Sequence, residues 1–256
     1  MRPSLLCAVF LSFPLFVPTA IQAQDLSLPD WSGAYLGAGL GASVGLARTG
    51  GEGYDNAQPA YFDATDIAQL RAALQSQHYA RRLAGYVLVG YGQQEGALYY
   101  GLEGSLGATA MEGSRTVSQS YNTVPAASFT NTLSYAAHWQ AAVRARLGFA
   151  QDNWLAYVSA GLAATQVHLD ASFSDNNITG ASGSSSSDPL ALGVTLGLGA
   201  EYALNEHWAL RTDYAYTHFG EASTMMSIAY PGFGSDLRNS VALSSHTVTV
   251  GLSYRF

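Results

Sequence analysis

Seven charged residues sit among alternating apolar ones: Glu103, Arg144, Arg146, Glu201, Arg211, Asp213 and Arg255. Four cations against three anions can do one of two things. An accessible carboxylate pair performs general acid–base chemistry, whereas desolvated groups lock into a hydrogen-bonded network. A general base needs reach to a bound substrate, and nothing around these residues supplies one, so they read as a network. Five histidines, His78, His138, His168, His218 and His246, would ligate a metal or haem only if several converged on one point. Strand alternation turns His138 one way and His168, His218 and His246 the other, so neither metal nor cofactor is expected. Ser244 and His246, with Glu221 as a distant third, have the residue types of an acyl-transfer triad. A two-residue spacing is thin support for one, and no catalytic residue is expected.

The elements that must position these groups alternate with a period of two. From Val248 onward, Val248, Val250, Leu252, Tyr254 and Phe256 are apolar, while Thr249, Gly251, Ser253 and Arg255 fall between them. That is a strand with one oily and one polar face. Lipid cannot satisfy an open sheet edge, so a last strand of this kind is expected to pair with the first and close a barrel. The first is Trp31 to Ala47, with Ala34, Leu36, Ala38, Leu40, Ala42, Val44 and Leu46 outward and Tyr35 among glycines inward. Further strands are expected over 82–93, 98–111, 133–150, 154–170, 189–202 and 208–220. The expectation is an all-β, eight-stranded antiparallel up-and-down transmembrane barrel with short periplasmic turns and long external loops. The loops are placed at 48–79, 112–130, 172–188 and 221–240. Within the first, Ile67, Leu70 and Leu74 have helical spacing, with Thr65 or Asp66 as the cap. Trp31, Trp154, Trp208, Tyr254 and Phe256 are expected to form an aromatic girdle at the short-turn end.

Composition fits this reading. The chain is 48% hydrophobic but only 11% charged, against about 25% charged in soluble domains. A net charge of −7 argues against nucleic acid as a partner, since phosphate binding needs a basic footprint. Arg2, the apolar run Leu5 to Val17 and the small residues ending at Ala23 predict a cleaved signal peptide over 1–23. A short lead at 24–30 and the barrel at 31–256 complete the division. Cys7 falls inside the signal, so the exported chain is expected to lack disulfide and thiolate chemistry. Asn177-Ile-Thr179 matches a glycosylation acceptor, a motif short enough to be an ordinary polar loop.

Several stretches are more specific. Val143-Arg-Ala-Arg-Leu-Gly-Phe149, Leu155-Ala-Tyr-Val158, Gly197-Leu-Gly-Ala-Glu-Tyr202, Trp31-Ser-Gly-Ala-Tyr-Leu-Gly37, Tyr100-Gly-Leu-Glu103 and the ending Val250-Gly-Leu-Ser-Tyr-Arg-Phe256 resemble the porin-like outer-membrane β-barrel family of alphaproteobacteria. The resemblance spans about Trp31 to Phe256 and leaves the loops unmatched. It implies a small surface barrel of the bacterial outer membrane, not an enzyme, whose loops contact lipid, lipopolysaccharide or a host ligand. The matching ending implies that Tyr254 and Phe256 are read by the barrel assembly machinery. A narrow diffusion porin, a haem-binding surface protein and a lipid-modifying enzyme are the other roles this architecture admits.

Overall fold

The computed structural model describes residues 29–55, 59–177 and 180–256. The expected signal peptide, most of the 24–30 lead, and Ile178 and Thr179 of the Asn-Ile-Thr motif lie outside them. Among the described residues the order is β1 Gly33–Tyr54, α1 Ala64–Leu74, β2 Ser76–Glu95, β3 Leu98–Ser120, β4 Ser128–Gln151, β5 Trp154–Gln166, β6 His168–Asp175, β7 Ser182–Ser187, β8 Leu190–Ala203, β9 Trp208–Tyr230 and β10 Phe233–Arg255.

All ladders between the strands are antiparallel, and β10 pairs with both β9 and β1. A closed circuit β10-β1-β2-β3-β4-β5-β8-β9 results. Among the described residues ten strands are present rather than the expected eight, because two long paths are interrupted at one level. Val167 separates β5 from β6, and Asp188-Pro189 separates β7 from β8. Proline has no N–H for the ladder, but its carbonyl accepts from the Val167 N–H at 3.0 Å, which holds the two breaks together. Above them β6 pairs with β4 and β7 with β6.

Three of the four expected external loops are mostly strand among the described residues, while β1 and β2 remain joined by a long connection that carries α1. β1, β3, β4, β9 and β10 run 22 to 24 residues each, about twice the 9–11 that a tilted strand needs to cross a bilayer. Segments 48–54, 76–79, 112–120, 128–130, 172–175, 182–187, 221–230 and 233–240, expected as loop, are strand. At the tips residues 121–127, 176–177, 180–181 and the pair Pro231-Gly232 are left outside the strands, and Gly232 takes φ +86°. These upper segments alternate as strictly as the lower ones but with the faces exchanged. In the lower half Leu40, Val87, Leu106, Val158 and Leu196 face outward and are exposed. In the upper half hydroxyls face outward and pair across strands, Ser114 with Ser134, Thr116 with Thr132 and Ser118 with Thr130. There Val117, Phe129, Leu133, Leu237 and Val241 turn inward and are buried. A wall that meets lipid below and water above would require this exchange, because the outer face must match its solvent.

A register shift between Ala108 and Met111 of β3 against β4 changes the phase of β4. His138 and Trp139 are consequently both exposed, so His138 does not face the lumen as alternation along an unbroken strand implied. Trp31 is the other misplacement. It is 2% exposed and packs inside the short-turn end, whereas Trp154, Trp208 and Phe256 are exposed outside. The Trp31 N–H donates to Gln94 Oε1 and the Gln94 N–H to Ser32 Oγ, which pins the lead inside the β2–β3 turn.

Helix α1 fills the upper mouth. Its N-cap is Asp63 rather than Thr65 or Asp66; the Asp63 carboxylate accepts from the Asp66 N–H, and Asp66 returns the contact in a capping box. The helix buries Leu70, Ala73 and Leu74. With Phe62 they join one continuous apolar cluster that includes Met111, Phe129, Phe173, Phe219, Met226 and Leu243.

Candidate functional site

The lower lumen holds the charged residues singled out in the sequence. Glu103 and Arg144 are register partners on β3 and β4, as are Glu201 and Arg211 on β8 and β9, so each pair starts on adjacent staves and points the same way. Arg144 Nη2 lies 2.6 Å from Glu103 Oε1, and Arg211 Nη1 lies 2.6 Å from Glu103 Oε2. Arg146 Nη1 is 3.4 Å from the same carboxylate and its Nη2 is bound to Glu201. Arg211 also grips Asp213 through Nε and Nη2. Three guanidiniums and three carboxylates thus share one layer, and Glu103, Glu201, Arg146 and Arg211 are each 2% exposed or less. Desolvation on this scale is tolerable only when the remaining donors and acceptors are also met.

Residues that the sequence reading passed over meet several of them, while Arg144 Nε and Arg146 Nε are left without a hydrogen-bond partner. Tyr35 OH donates to Glu103 and accepts from Arg146 Nη1 at 2.8 Å; Tyr157 OH donates to Asp213, and Ser253 Oγ to Glu201. The Arg146 guanidinium also lies 3.6 Å from the centre of the Tyr157 ring, a cation–π contact in a dry site. Their signal was available in the alternation, since Tyr35, Tyr157 and Ser253 all fall on lumen-facing positions. The chain has no lysine. Arginine's planar fork can bind two carboxylates at once, as Arg146 and Arg211 do here, and a lysine could not reproduce that.

Arg255 stands apart from this layer. It stacks 4.9 Å over the Trp31 ring and 5.6 Å from that of Tyr35, closing the lumen at the short-turn end. On the outside of the same strand end, Tyr254 packs edge-on against Trp208 and Phe256 and stacks on His207.

The histidines do not converge. His168 lies on the outer wall above the membrane-facing residues, between Asp170 at 2.9 Å and Asp188 at 2.6 Å. The Asp188 hydrogen bond, with the charge of Asp170, raises its pKa above the ordinary value. His246 binds the Tyr214 hydroxyl at 2.8 Å, and Glu221 is engaged by Arg238 at 2.6 Å. His246 and Glu221 are thus engaged by different partners, and Ser244 is buried while His246 is exposed. At the hairpin tips Tyr121 OH donates to Asp175 at 2.7 Å, and Tyr61 OH donates to the same carboxylate. Burial raises the pKa of Tyr121, and the Asp175 charge adds to it.

Comparison with known proteins gives one consistent family. The model of the outer membrane protein β-barrel domain matches residues 11–256. The 31 kDa outer-membrane immunogenic protein of Brucella melitensis is 29% identical over 245 residues, covering 93% of this chain and 89% of the relative. A 22 kDa outer membrane protein of Rhizobium leguminosarum is 27% identical over 145 residues, 56% of each chain. Among solved structures, the outer membrane protein OprG of Pseudomonas aeruginosa aligns over 91% of this chain and 99% of its own, with a TM-score of 0.45 and 13% identity.

Proposed function

This chain belongs to the outer-membrane protein β-barrel family of alphaproteobacteria, and from that premise we propose that it is a structural surface protein with a plugged lumen. Its external hairpins contact lipid, lipopolysaccharide or host molecules. The eight strands of the closed circuit are, on this reading, the staves that cross the outer membrane, and β6 and β7 continue β5 and β8 outside it. The observation that carries the proposal is the blocking of the interior at two levels. A charged layer occupies the lower lumen, and an apolar cluster with α1 occupies the upper. A protein whose task is passage has no use for a dry core under its mouth, whereas one that displays a surface needs rigid staves. On this reading the polar rim around the half-buried Tyr61 and Asp175 is the face offered to partners, with Tyr121 buried beneath it. No catalytic role is assigned.

Purified protein in planar bilayers should show negligible single-channel conductance. In parallel, grafting the tips at 121–127 and 231–232 onto an unrelated barrel should transfer binding to lipopolysaccharide or host cells. A large, steady wild-type conductance would replace this reading with a narrow diffusion porin.

A further inference from the structure

Between the charged layer and the apolar cluster the lumen is not filled. A chamber of about 80 Å³ lies there, lined by hydroxyls of Ser43, Thr195, Thr217, Thr247 and Thr249 with Gln140 above and Arg144 below. At about 10–15 Å³ for each probe sphere it has room for several waters, and its polar lining would hold them. Axially it is shut, below by the guanidinium–carboxylate layer and above by Met111, Tyr135 and Phe219 of the cluster.

Its side wall is different. Ala84, Gly85, Gly107 and Ala108 also line the chamber, and the ladder between β2 and β3 ends at the pair Gly85–Ala108. Above that point, among the described residues, 76–82 of β2 pair only with β1 and 111–120 of β3 only with β4. Side chains and α1 close the seam instead. Arg82 bridges to Glu112 at 3.0 Å, Arg115 reaches Ser76 Oγ at 2.6 Å and the Ala73 carbonyl at 3.2 Å, and Gln69 of α1 donates to the Ser120 carbonyl. The Arg82–Glu112 pair and the Gln69 contact are exposed to water, where such contacts hold weakly. The other thinly paired seam, β7 against β9, is backed by Met226 and Ile228 and does not meet the chamber.

We propose that the chamber admits small neutral polar solutes sideways, through the β2–β3 seam, when α1 lifts from it. The portal is independent of any binding at the tips. It shares with the plugged-lumen reading only the closure of both axial ends, and bilayer conductance tests that closure separately.

The test uses Thr249→Cys in the full chain with Cys7→Ser, so that a single thiol faces the chamber. Outer-membrane preparations are treated with 2-hydroxyethyl methanethiosulfonate, whose sulfenyl group the thiolate captures as methanesulfinate leaves. Labelling should be slow in this background and at least tenfold faster when Arg115→Ala is added. It should be unchanged when Glu103→Gln is added instead. Heat-modifiable mobility checks that each variant is folded; if Arg115→Ala does not fold, Arg82→Ala on the outer side of the seam is read in its place. Equal acceleration by Glu103→Gln places the entrance at the floor and overturns the portal. Folded seam variants that label no faster than the parent overturn it as well.

Discussion

Glu103 is within salt-bridge distance of Arg144, Arg146 and Arg211 at once; its removal takes from Arg144 its carboxylate partner and strips one partner from Arg146 and Arg211, which keep Glu201 and Asp213. Breaking a buried pair from one side costs about 3–5 kcal/mol. Glu103→Ala should therefore lower the urea midpoint of the folded barrel in liposomes by a corresponding amount, while leaving conductance near the wild-type level because the apolar cluster above remains. An unchanged midpoint would mean that the arginines find other acceptors. His168 offers a second test at this scale. Its folded pKa is raised, so whatever its aspartate contacts contribute is complete below the unfolded histidine value of about 6.5. The contribution is lost as pH rises through the folded midpoint. A ¹H NMR titration of the His168 ring should give a midpoint above that of an exposed histidine, and Asp188→Asn should bring it down; a midpoint indifferent to Asp188→Asn would remove the assignment. The charges themselves were legible because each interrupts an apolar alternation. Tyr35 and Tyr157 were not singled out, since an aromatic at an inward position reads as filling until a hydrogen-bond partner is seen.

Helix α1 was visible from Ile67, Leu70 and Leu74, yet its cap was misassigned by two or three residues. A carboxylate at any of several neighbouring positions satisfies the sequence pattern, and only backbone geometry selects Asp63. Leu70 is fully buried, and a proline in a helix interior costs about 3 kcal/mol. Leu70→Pro should expose the 55–75 segment to protease while the barrel keeps its heat-modifiable mobility; unchanged cleavage would argue that the helix is dispensable for closing the mouth. The upper strands taught the opposite lesson. Segments such as Ser114 to Ser120 and Ser182 to Ser187 are rich in serine, and that composition suggests loop. The decisive signal was the unbroken period of two, with Val117, Phe129, Leu133, Leu237 and Val241 all buried. Above the membrane the oily face turns inward, and polar residues there mark the solvent side of a strand.

Closure makes the molecule a single unit. β10 holds β1 over the register from Tyr35–Arg255 to Tyr54–Asp236, and the Phe256 N–H donates to the Ala34 carbonyl at 3.1 Å. Deleting Phe256 should reduce the folded fraction in outer-membrane preparations, read by heat-modifiable mobility, both because the last rung is lost and because the aromatic pair Tyr254–Phe256 is proposed as the assembly signal. Full folded yield would dismiss the terminal aromatic as a signal. The sequence by itself determined that the chain is an outer-membrane β-barrel protein and which charges interrupt its apolar alternation, because both are legible in local periodicity. The tertiary structure alone decided that the strands continue well beyond the expected crossing segments, that His138 is turned out by a bulge and that Trp31 is drawn inside. It also decided that the β2–β3 ladder stops halfway. Ladder register and bulges depend on which strand lies alongside, and that neighbour is fixed only when the sheet closes on itself.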